Sequence, residues 1–173
     1  MLKRLIIPAA LVAAMGSTGV VAADAPVKNW TPPSYSIYAQ KLSDETMKAN
    51  PDLLSVTFHG VPPGMSNVYT MFAGSYPDRI GNPDDPDDID VTKKGITIVD
   101  PRWHRPNDPA PKFVVLMPLR DAHMENIGLV VYAFKVPVES NAGERKYYTR
   151  ALDLRDALAR KIPSYEALFQ RAN

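Results

Sequence analysis

Residues 112–136 read KFVVLMPLRDAHMENIGLVVYAFKV, and this stretch decides the fold class. Residues 112–119 and 127–136 are nearly continuous apolar runs of strand length, separated by a polar turn at 121–126. Strands that are apolar on both sides are covered on both faces of their sheet. The two runs therefore predict two central strands, and the short turn between them predicts that they pair antiparallel.

Three further segments before this pair have strand patterns. Residues 54–59 alternate apolar and polar side chains, and residues 67–73 follow after a Pro-Pro-Gly turn, which predicts a hairpin. Residues 95–99 predict a third strand. Because consecutive strands with short links usually lie side by side, the five strands are expected to form an antiparallel, meander-like sheet.

Helical periodicity appears at both ends of this strand region. A helix is predicted from Ser34, as its N-cap, to the stop at Asn50-Pro51. A second helix is predicted from residue 140, with Asn141 and Glu144 as a capping box and a short terminal helix at 164–169. Its apolar stripe consists of Tyr147, Ala151, Leu154, Leu158 and Ile162. The predicted fold class is therefore α+β, a five-stranded antiparallel sheet flanked by an N-terminal and a C-terminal helix.

The N-terminus has the pattern of a secretory signal peptide. Lys3 and Arg4 precede an apolar run at 5–14, and small residues at 21–23 precede Asp24. The alternative is an uncleaved membrane anchor, although the apolar run is shorter than a bilayer-spanning helix. The sequence predicts a signal peptide at 1–23, a flexible lead-in at 24–33, a single domain at 34–173, and a periplasmic or secreted location.

Composition excludes several classes of function. The chain has no cysteine, so disulfides, thiolate nucleophiles and cysteine metal sites are excluded. Removing Lys3 and Arg4 from the 20 basic residues leaves 18 against 19 acidic residues, a balance that argues against a nucleic-acid partner. No later segment is apolar enough to span a membrane after signal cleavage. No metal or cofactor is expected.

Several of these segments resemble extracytoplasmic PAS-like sensor domains of the Cache group. The similar stretches are DRIGNP at 78–83 with the acidic run that follows, VLMPLRD at 115–121 and IGLVVYAF at 127–134. His59 followed by Pro-Pro-Gly at 62–64 is similar to uncharacterised exported proteins of this kind. The resemblance covers about residues 34–168, and the sequence departs from the pattern at 123–126, where a glycine is usual.

The resemblance implies a curved five-stranded PAS/Cache-like sheet with a long N-terminal helix behind it. Small molecules would bind on the other face of the sheet, under the long loop at 74–90. Cache domains usually belong to membrane receptors, whereas we expect this domain to act without an output module of its own. The expected partners are therefore a small ligand together with a separate membrane receptor or a second copy of the chain.

Five residues are candidates for ligand binding: His59, Tyr69, Arg79, Trp103 and Asp121. His59 lies at a strand end, and its alternative role is to cap a turn or to lie in solvent. Arg79 could clamp an anionic or zwitterionic ligand, or pair with the acidic run. The two aromatic residues could wall a pocket or belong to the core, and Asp121 could fix its turn or bind a ligand amine.

The acidic run between residues 84 and 90 permits a metal interpretation. Clustered carboxylates suit calcium, but position six of an EF-hand starting at Asp84 would be Ile89 rather than glycine. The other interpretation is that Asp85 or Asp88 is an N-cap for a short helical turn at 86–91 and that the remaining acidic residues are solvated.

The sequence as a whole predicts a small-ligand-binding or sensory domain without catalytic activity. No nucleophile elbow, phosphate loop or paired-histidine metal motif is present. The alternatives are a protein-interaction or dimerisation module and an unrecognised hydrolase.

Overall fold

The computed structural model describes residues 26–101, 112–136 and 140–173. The predicted signal peptide, the first residues of the lead-in and the loop that contains Trp103 lie outside the described residues. Within the described ranges, no helix has both the length and the apolar character needed to cross a bilayer.

The fold is α+β, with one five-stranded antiparallel sheet, as predicted. The strands are β1 Leu53–Gly60, β2 Thr70–Gly74, β3 Ile98–Asp100, β4 Phe113–Arg120 and β5 Asn126–Phe134. The prediction for the decisive stretch is confirmed, since β4 and β5 are adjacent and antiparallel, with Leu116 opposite Val131.

The predicted meander is wrong at one place. The strand order is β2-β1-β5-β4-β3, so β5 lies between β4 and β1 rather than at an edge. A physical reason lies in the composition of β5, which is apolar on both faces. Such a strand is buried and must satisfy the backbone N–H and C=O groups along both of its edges. Strand β4 pairs with one edge of β5 across the polar turn, and β1 pairs with the other edge.

The first helix begins later than predicted. Helix α1 spans Tyr38–Ala49 and ends before Asn50-Pro51 as expected, but Ser34 is not its N-cap. Instead, Ile37 forms a bridge with Arg171, and the N–H of Ala172 donates to the Ser36 carbonyl at 2.8 Å. Pairing with the C-terminal tail keeps the residues before Tyr38 extended.

The C-terminal helix confirms its predicted stripe and corrects its cap. Helix α3 spans Asn141–Ala159, and its N-cap is Ser140, whose Oγ accepts a hydrogen bond from the Gly143 N–H at 3.1 Å. The predicted capping box of Asn141 and Glu144 is therefore wrong, because the N-cap lies one residue earlier and Gly143, three residues after it, has no side chain to complete a box. The predicted stripe lies in or against the core: Tyr147, Ala151, Leu154, Leu158 and Ile162. A short 3-10 helix at Glu166–Phe169 follows, as expected.

Helices α1 and α3 cover one face of the sheet and build the main core. Phe58, Tyr132 and Phe134 are fully buried there, and Leu158 packs in the same core. Ile127, expected to be buried, is half-buried near the start of β5.

The opposite face of the sheet is covered by the segment between β2 and β3. This segment was predicted as a loop with a helical turn at 86–91; it instead contains a 3-10 turn at Pro77–Arg79 and a longer helix, α2, at Pro86–Lys94. Asp85 is the N-cap of α2, one of the two predicted possibilities, and Gly95 ends the helix with φ 65°. Val91 of α2 packs on Val114, Leu116, Leu129 and Val131 of the central strands. This smaller core leaves room for a site beside it.

Candidate functional site

A cavity of about 100 Å³ lies between this sheet face and the segment at 76–88. Its floor is apolar and comes from strands β2, β4 and β5: Met71, Val114, Leu116, Val131 and Ala133. Its walls are polar and include Ser55, Thr57, His59, Arg79 and Asp88. An apolar floor with a few convergent polar groups is the usual composition of a small-molecule site.

Strand β1 places three polar side chains on this face. Ser55, Thr57 and His59 alternate along the strand and line the cavity, whereas Val56 and Phe58 point into the main core. Leu54 was expected to share the core face but packs on the cavity side. The pairing of β1 with β5 shifts register between Leu53 and Ser55, which moves Leu54 to the other face.

His59 forms the centre of a buried polar cluster. Its Nδ1 lies 2.7 Å from Oδ1 of Asp84 and 3.9 Å from Oδ2 of Asp88, and its Nε2 lies 2.8 Å from Oγ1 of Thr57. The Asp84 side chain is fully buried, and that of Asp88 is 14% exposed. His59 is therefore neither a solvent-exposed residue nor a turn cap, the two alternatives to a ligand-binding role.

Backbone contacts hold the two carboxylates against His59. The N–H of Asp84 donates to the Tyr69 carbonyl at 3.1 Å. The carboxylate of Asp88 accepts from the N–H of Asp85 at 3.2 Å, at the first turn of α2. The pairing of β1 and β5 fixes the histidine itself. At Gly128, φ is 150°, and a Cβ there would lie 2.6 Å from the His59 carbonyl oxygen, so a side chain would separate the two strands.

The protonation of this cluster follows from its contacts. Burial lowers the pKa of His59, but the hydrogen bond to Asp84 and the negative charges of Asp84 and Asp88 together outweigh it, so the pKa lies above the usual value. Burial also raises the pKa of the Asp88 carboxyl. Since an ionised carboxylate only accepts, the Nδ1 atom facing Asp84 carries a proton in the pair. In the described part of the chain, no hydrogen-bond partner reaches the buried Oδ2 atom of Asp84.

Of the predicted ligand-binding residues, the structure brings His59 and Arg79 to the same cavity. Arg79 is exposed, and its guanidinium carbon lies 5.6 Å from the centre of the Tyr76 ring. Within the described part of the chain, no ion pair joins Arg79 to Asp84 or Asp88, so the expected alternative of pairing with these two acidic residues is absent there.

Tyr69 and Asp121 lie away from this cavity. The Nζ of Lys93 lies 5.0 Å from the centre of the Tyr69 ring, and both residues border a separate, shallow depression. Asp121 is buried, and its Oδ1 accepts from the N–H groups of His123 at 2.9 Å and Glu125 at 3.0 Å. These contacts match the turn-fixing role that was considered for it. Trp103 falls outside the described residues.

Sequence reasoning missed Thr57, Asp84 and Asp88 as members of the site. The alternation that places Thr57 beside His59 was visible in β1. The acidic run was interpreted as a cap with solvated neighbours because a local pattern does not show which carboxylate becomes buried. The burial of Asp84 depends on a tertiary contact with a residue 25 positions earlier.

Comparisons with known proteins give a likeness in fold only. No protein-family model and no curated protein sequence matches the chain. Among solved structures, the GAF domain of a two-component sensor histidine kinase from Bacillus halodurans matches with a TM-score of 0.48, at 12% identity over 73% of this chain and 95% of that one. The sensor domain of E. coli DcuS matches with a TM-score of 0.37, at 21% identity over 66% of this chain and 71% of that one.

A third similar structure is an enzyme. The type II free methionine-R-sulfoxide reductase from Thermoplasma acidophilum matches with a TM-score of 0.45, at 15% identity over 71% of this chain and 90% of that one. At these levels of similarity, the likeness says nothing of the ligand or the chemistry of this chain.

Proposed function

We propose that the protein is an exported sensory domain that binds a small anionic or zwitterionic ligand in the cavity under α2. The observation that carries this proposal is the cavity itself, which combines an apolar floor with charged groups of both signs on one face of a rigid sheet. The fold supports the same interpretation, because loops held over a rigid scaffold are where binding residues concentrate.

The size of the cavity limits the ligand. Its volume of about 100 Å³ is well below the roughly 300–1,000 Å³ of sites for drug-sized molecules. A simple amino acid or a short carboxylate fits this limit. Arg79 offers an exposed guanidinium for a carboxylate, while Asp88 offers a carboxylate for an ammonium group.

The proposed location and mode of action come from the sequence. The signal-peptide pattern at 1–23 supports export to the periplasm or the medium. The domain would report ligand binding through a separate membrane receptor or a second copy of the chain and would not act as a catalyst. We include in this proposal that the domain is of the Cache type.

A thermal-shift screen of the purified protein tests the ligand class. The probes are glycine, alanine, serine, acetate, lactate and succinate, all measured in the presence of a chelator. A ligand that binds the folded state raises the Tm by mass action. The cavity-filling variant Ala133→Leu should lose the shift, and Ala142→Leu, at an exposed position of α3, should keep it. Equal shifts in wild type and Ala133→Leu would place binding elsewhere.

One observation favours a second candidate function, a hydrolase. The hydroxyl of Thr57, the two ring nitrogens of His59 and the carboxylate of Asp84 form a chain with 2.8 Å and 2.7 Å contacts. This is the connectivity of a nucleophile, base and orienting carboxylate. Binding ranks first because Thr57 is a buried secondary alcohol, only 7% exposed. Hydrolysis of p-nitrophenyl acetate that Thr57→Val abolishes would support the hydrolase instead.

A further inference from the structure

We infer that His59, Asp84 and Asp88 form a binding site for one divalent transition-metal ion such as Zn²⁺. One potential ligand atom from each residue lies within 4.8 Å of the other two. The three come from β1 and from the start of α2, so the fold rather than a sequence motif brings them together. This inference does not depend on the proposed organic ligand.

The charge balance of the cluster calls for a cation. Asp84 is fully buried and Asp88 is mostly buried, and among the described residues the one positive group within 4.0 Å of both carboxylates is His59. Arg79, the nearby guanidinium on the cavity wall, is exposed and makes no ion pair with Asp84 or Asp88 among the described residues. Buried carboxylates are costly unless they are paired or coordinate a metal. A dication would neutralise both.

An unsatisfied oxygen points to the same conclusion independently of the charges. Oδ2 of Asp84 is buried and has no hydrogen-bond partner among the described residues, although nearly all buried polar atoms in folded proteins have one. Oδ1 of the same carboxylate contacts His59. Once Nδ1 of His59 gives up its proton to bind an ion, Oδ1 also loses this donor, and Asp84 can bind the same ion through either oxygen.

The orientation of His59 fits a metal ligand. When Nδ1 binds an ion, Nε2 carries the proton and can donate it to Oγ1 of Thr57, 2.8 Å away. A ligating histidine commonly donates its other N–H to an oxygen in this way, which fixes the ring and the tautomer. Thr57 would thus be a positioning residue.

The distances require only small side-chain shifts. Ligand atoms bound at about 2.0–2.1 Å around a tetrahedral ion lie roughly 3.3 Å from each other. The contacts of Nδ1 with Asp84 and Asp88 are 2.7 Å and 3.9 Å, one below and one above this value. One imidazole with two carboxylates suits a transition ion such as Zn²⁺, whereas Ca²⁺ and Mg²⁺ prefer oxygen ligands alone. Since His59 and Asp88 also line the cavity, a fourth position would open into it.

Equilibrium dialysis and calorimetry of the chelator-treated protein with Zn²⁺ test this site. We expect one ion per chain and a rise in Tm with Zn²⁺ that Ca²⁺ does not reproduce. His59→Gln, Asp84→Asn and Asp88→Asn should each weaken Zn²⁺ binding at least tenfold. Replacing Zn²⁺ by Co²⁺ should give visible absorption bands that these variants lose.

Two matched controls separate this site from general metal binding. Asp90→Asn removes the same charge from the same helix, at a residue that pairs with Lys94 at 2.7 Å outside the cluster. His123→Gln removes an exposed histidine. Both should keep wild-type affinity for Zn²⁺. Circular dichroism shows whether Asp84→Asn is folded, and Asp88→Asn, at a partly exposed position, keeps an oxygen that can accept from Asp85.

Three results would overturn the inference. They are stoichiometry far below one ion per chain, unchanged affinity in folded Asp88→Asn and His59→Gln, or an equal loss in Asp90→Asn. Because the organic probes are tested with chelator and Zn²⁺ is tested without probes, failure of one proposal is distinguishable from failure of the other.

Discussion

Nδ1 of His59 lies 2.7 Å from Oδ1 of Asp84, a carboxylate with no exposed surface. The two residues are 25 positions apart, and the antiparallel return of β2 brings them together. A bridge between Thr70 and Pro83 then fixes the backbone next to Asp84. This buried pair links the sheet to the segment that covers the cavity, so we expect stability and the proposed binding to depend on the same residues.

Asp84→Asn should destabilise the protein by about 1–3 kcal/mol, measured as the free energy of unfolding in urea with chelator present. The substitution removes the negative partner of a buried histidine and leaves its polar groups imperfectly paired. Asp90→Asn, an exposed control on α2, should change the free energy by less than about 0.5 kcal/mol. Equal small effects in both variants would mean that the buried pair contributes nothing.

The stabilising effect of the His59–Asp84 pair should decrease as the pH rises. The folded-state pKa of His59 lies above its unfolded value, near 6.5. The folded state therefore holds this proton more tightly, and the resulting stability is complete below the unfolded pKa and lost as the pH rises through the folded pKa. The measurement is the difference in unfolding free energy between wild type and Asp84→Asn, from about pH 6 to about pH 9 with chelator present.

The raised pKa of Asp88 acts in the same direction but at lower pH, since its usual value is 3.8. His123→Gln, at an exposed turn, provides the control and should leave the pH profile unchanged. A wild-type advantage over Asp84→Asn that grows as the pH rises would contradict the assignment of the proton to His59.

Leu158→Ala should cost about 2–5 kcal/mol of stability, because it leaves a cavity between α3 and the sheet. Leu158 is 4% exposed and belongs to the main core. Thr149→Ala, at an exposed position of the same helix, should change stability by less than about 0.5 kcal/mol. Chemical denaturation of both variants provides the test. Similar losses of unfolding free energy for the two would show that a different face of α3 packs against the sheet.

Patterns within single elements predicted most of the fold. The apolar runs at 112–119 and 127–136 gave the central strand pair, and the spacing of apolar residues in α3 gave its buried face. Contacts between distant segments were not predictable in this way. Ile37 pairs with Arg171 across almost the whole chain, and this contact delays the start of α1.

The same difference between local patterns and contacts of distant segments explains which site residues were predicted. His59 was found because its strand alternates, and its neighbour Thr57 shares that signal. Asp84 looked like one member of a solvated acidic run, since its burial arises only when β2 and α2 pack against β1. The sequence predicted that Tyr69 lies near a binding loop. Its side chain instead faces Lys93, and its carbonyl accepts a hydrogen bond from the N–H of Asp84.

Arg79→Ala should leave the Tm of the empty protein nearly unchanged and weaken binding of any carboxylate probe that the screen finds. Arg79 is exposed and makes no ion pair with Asp84 or Asp88 among the described residues, so its removal costs little stability. Lys93→Ala, an exposed cation on the α2 segment, should affect neither quantity. Lower stability with unchanged affinity would show that Arg79 is a structural residue.

The most direct test of the binding proposal is an NMR titration of the purified, ¹⁵N-labelled protein with the carboxylate or amino-acid probe that raises its Tm most. We expect the backbone amide shifts to concentrate at Ser55, Thr57, Val131 and Ala133, on the cavity face of the sheet. The amides of α1 and α3, on the other face, should move little. Shifts centred on α1 or α3, or the same shifts in Ala133→Leu, would contradict the claim that this cavity is the binding site.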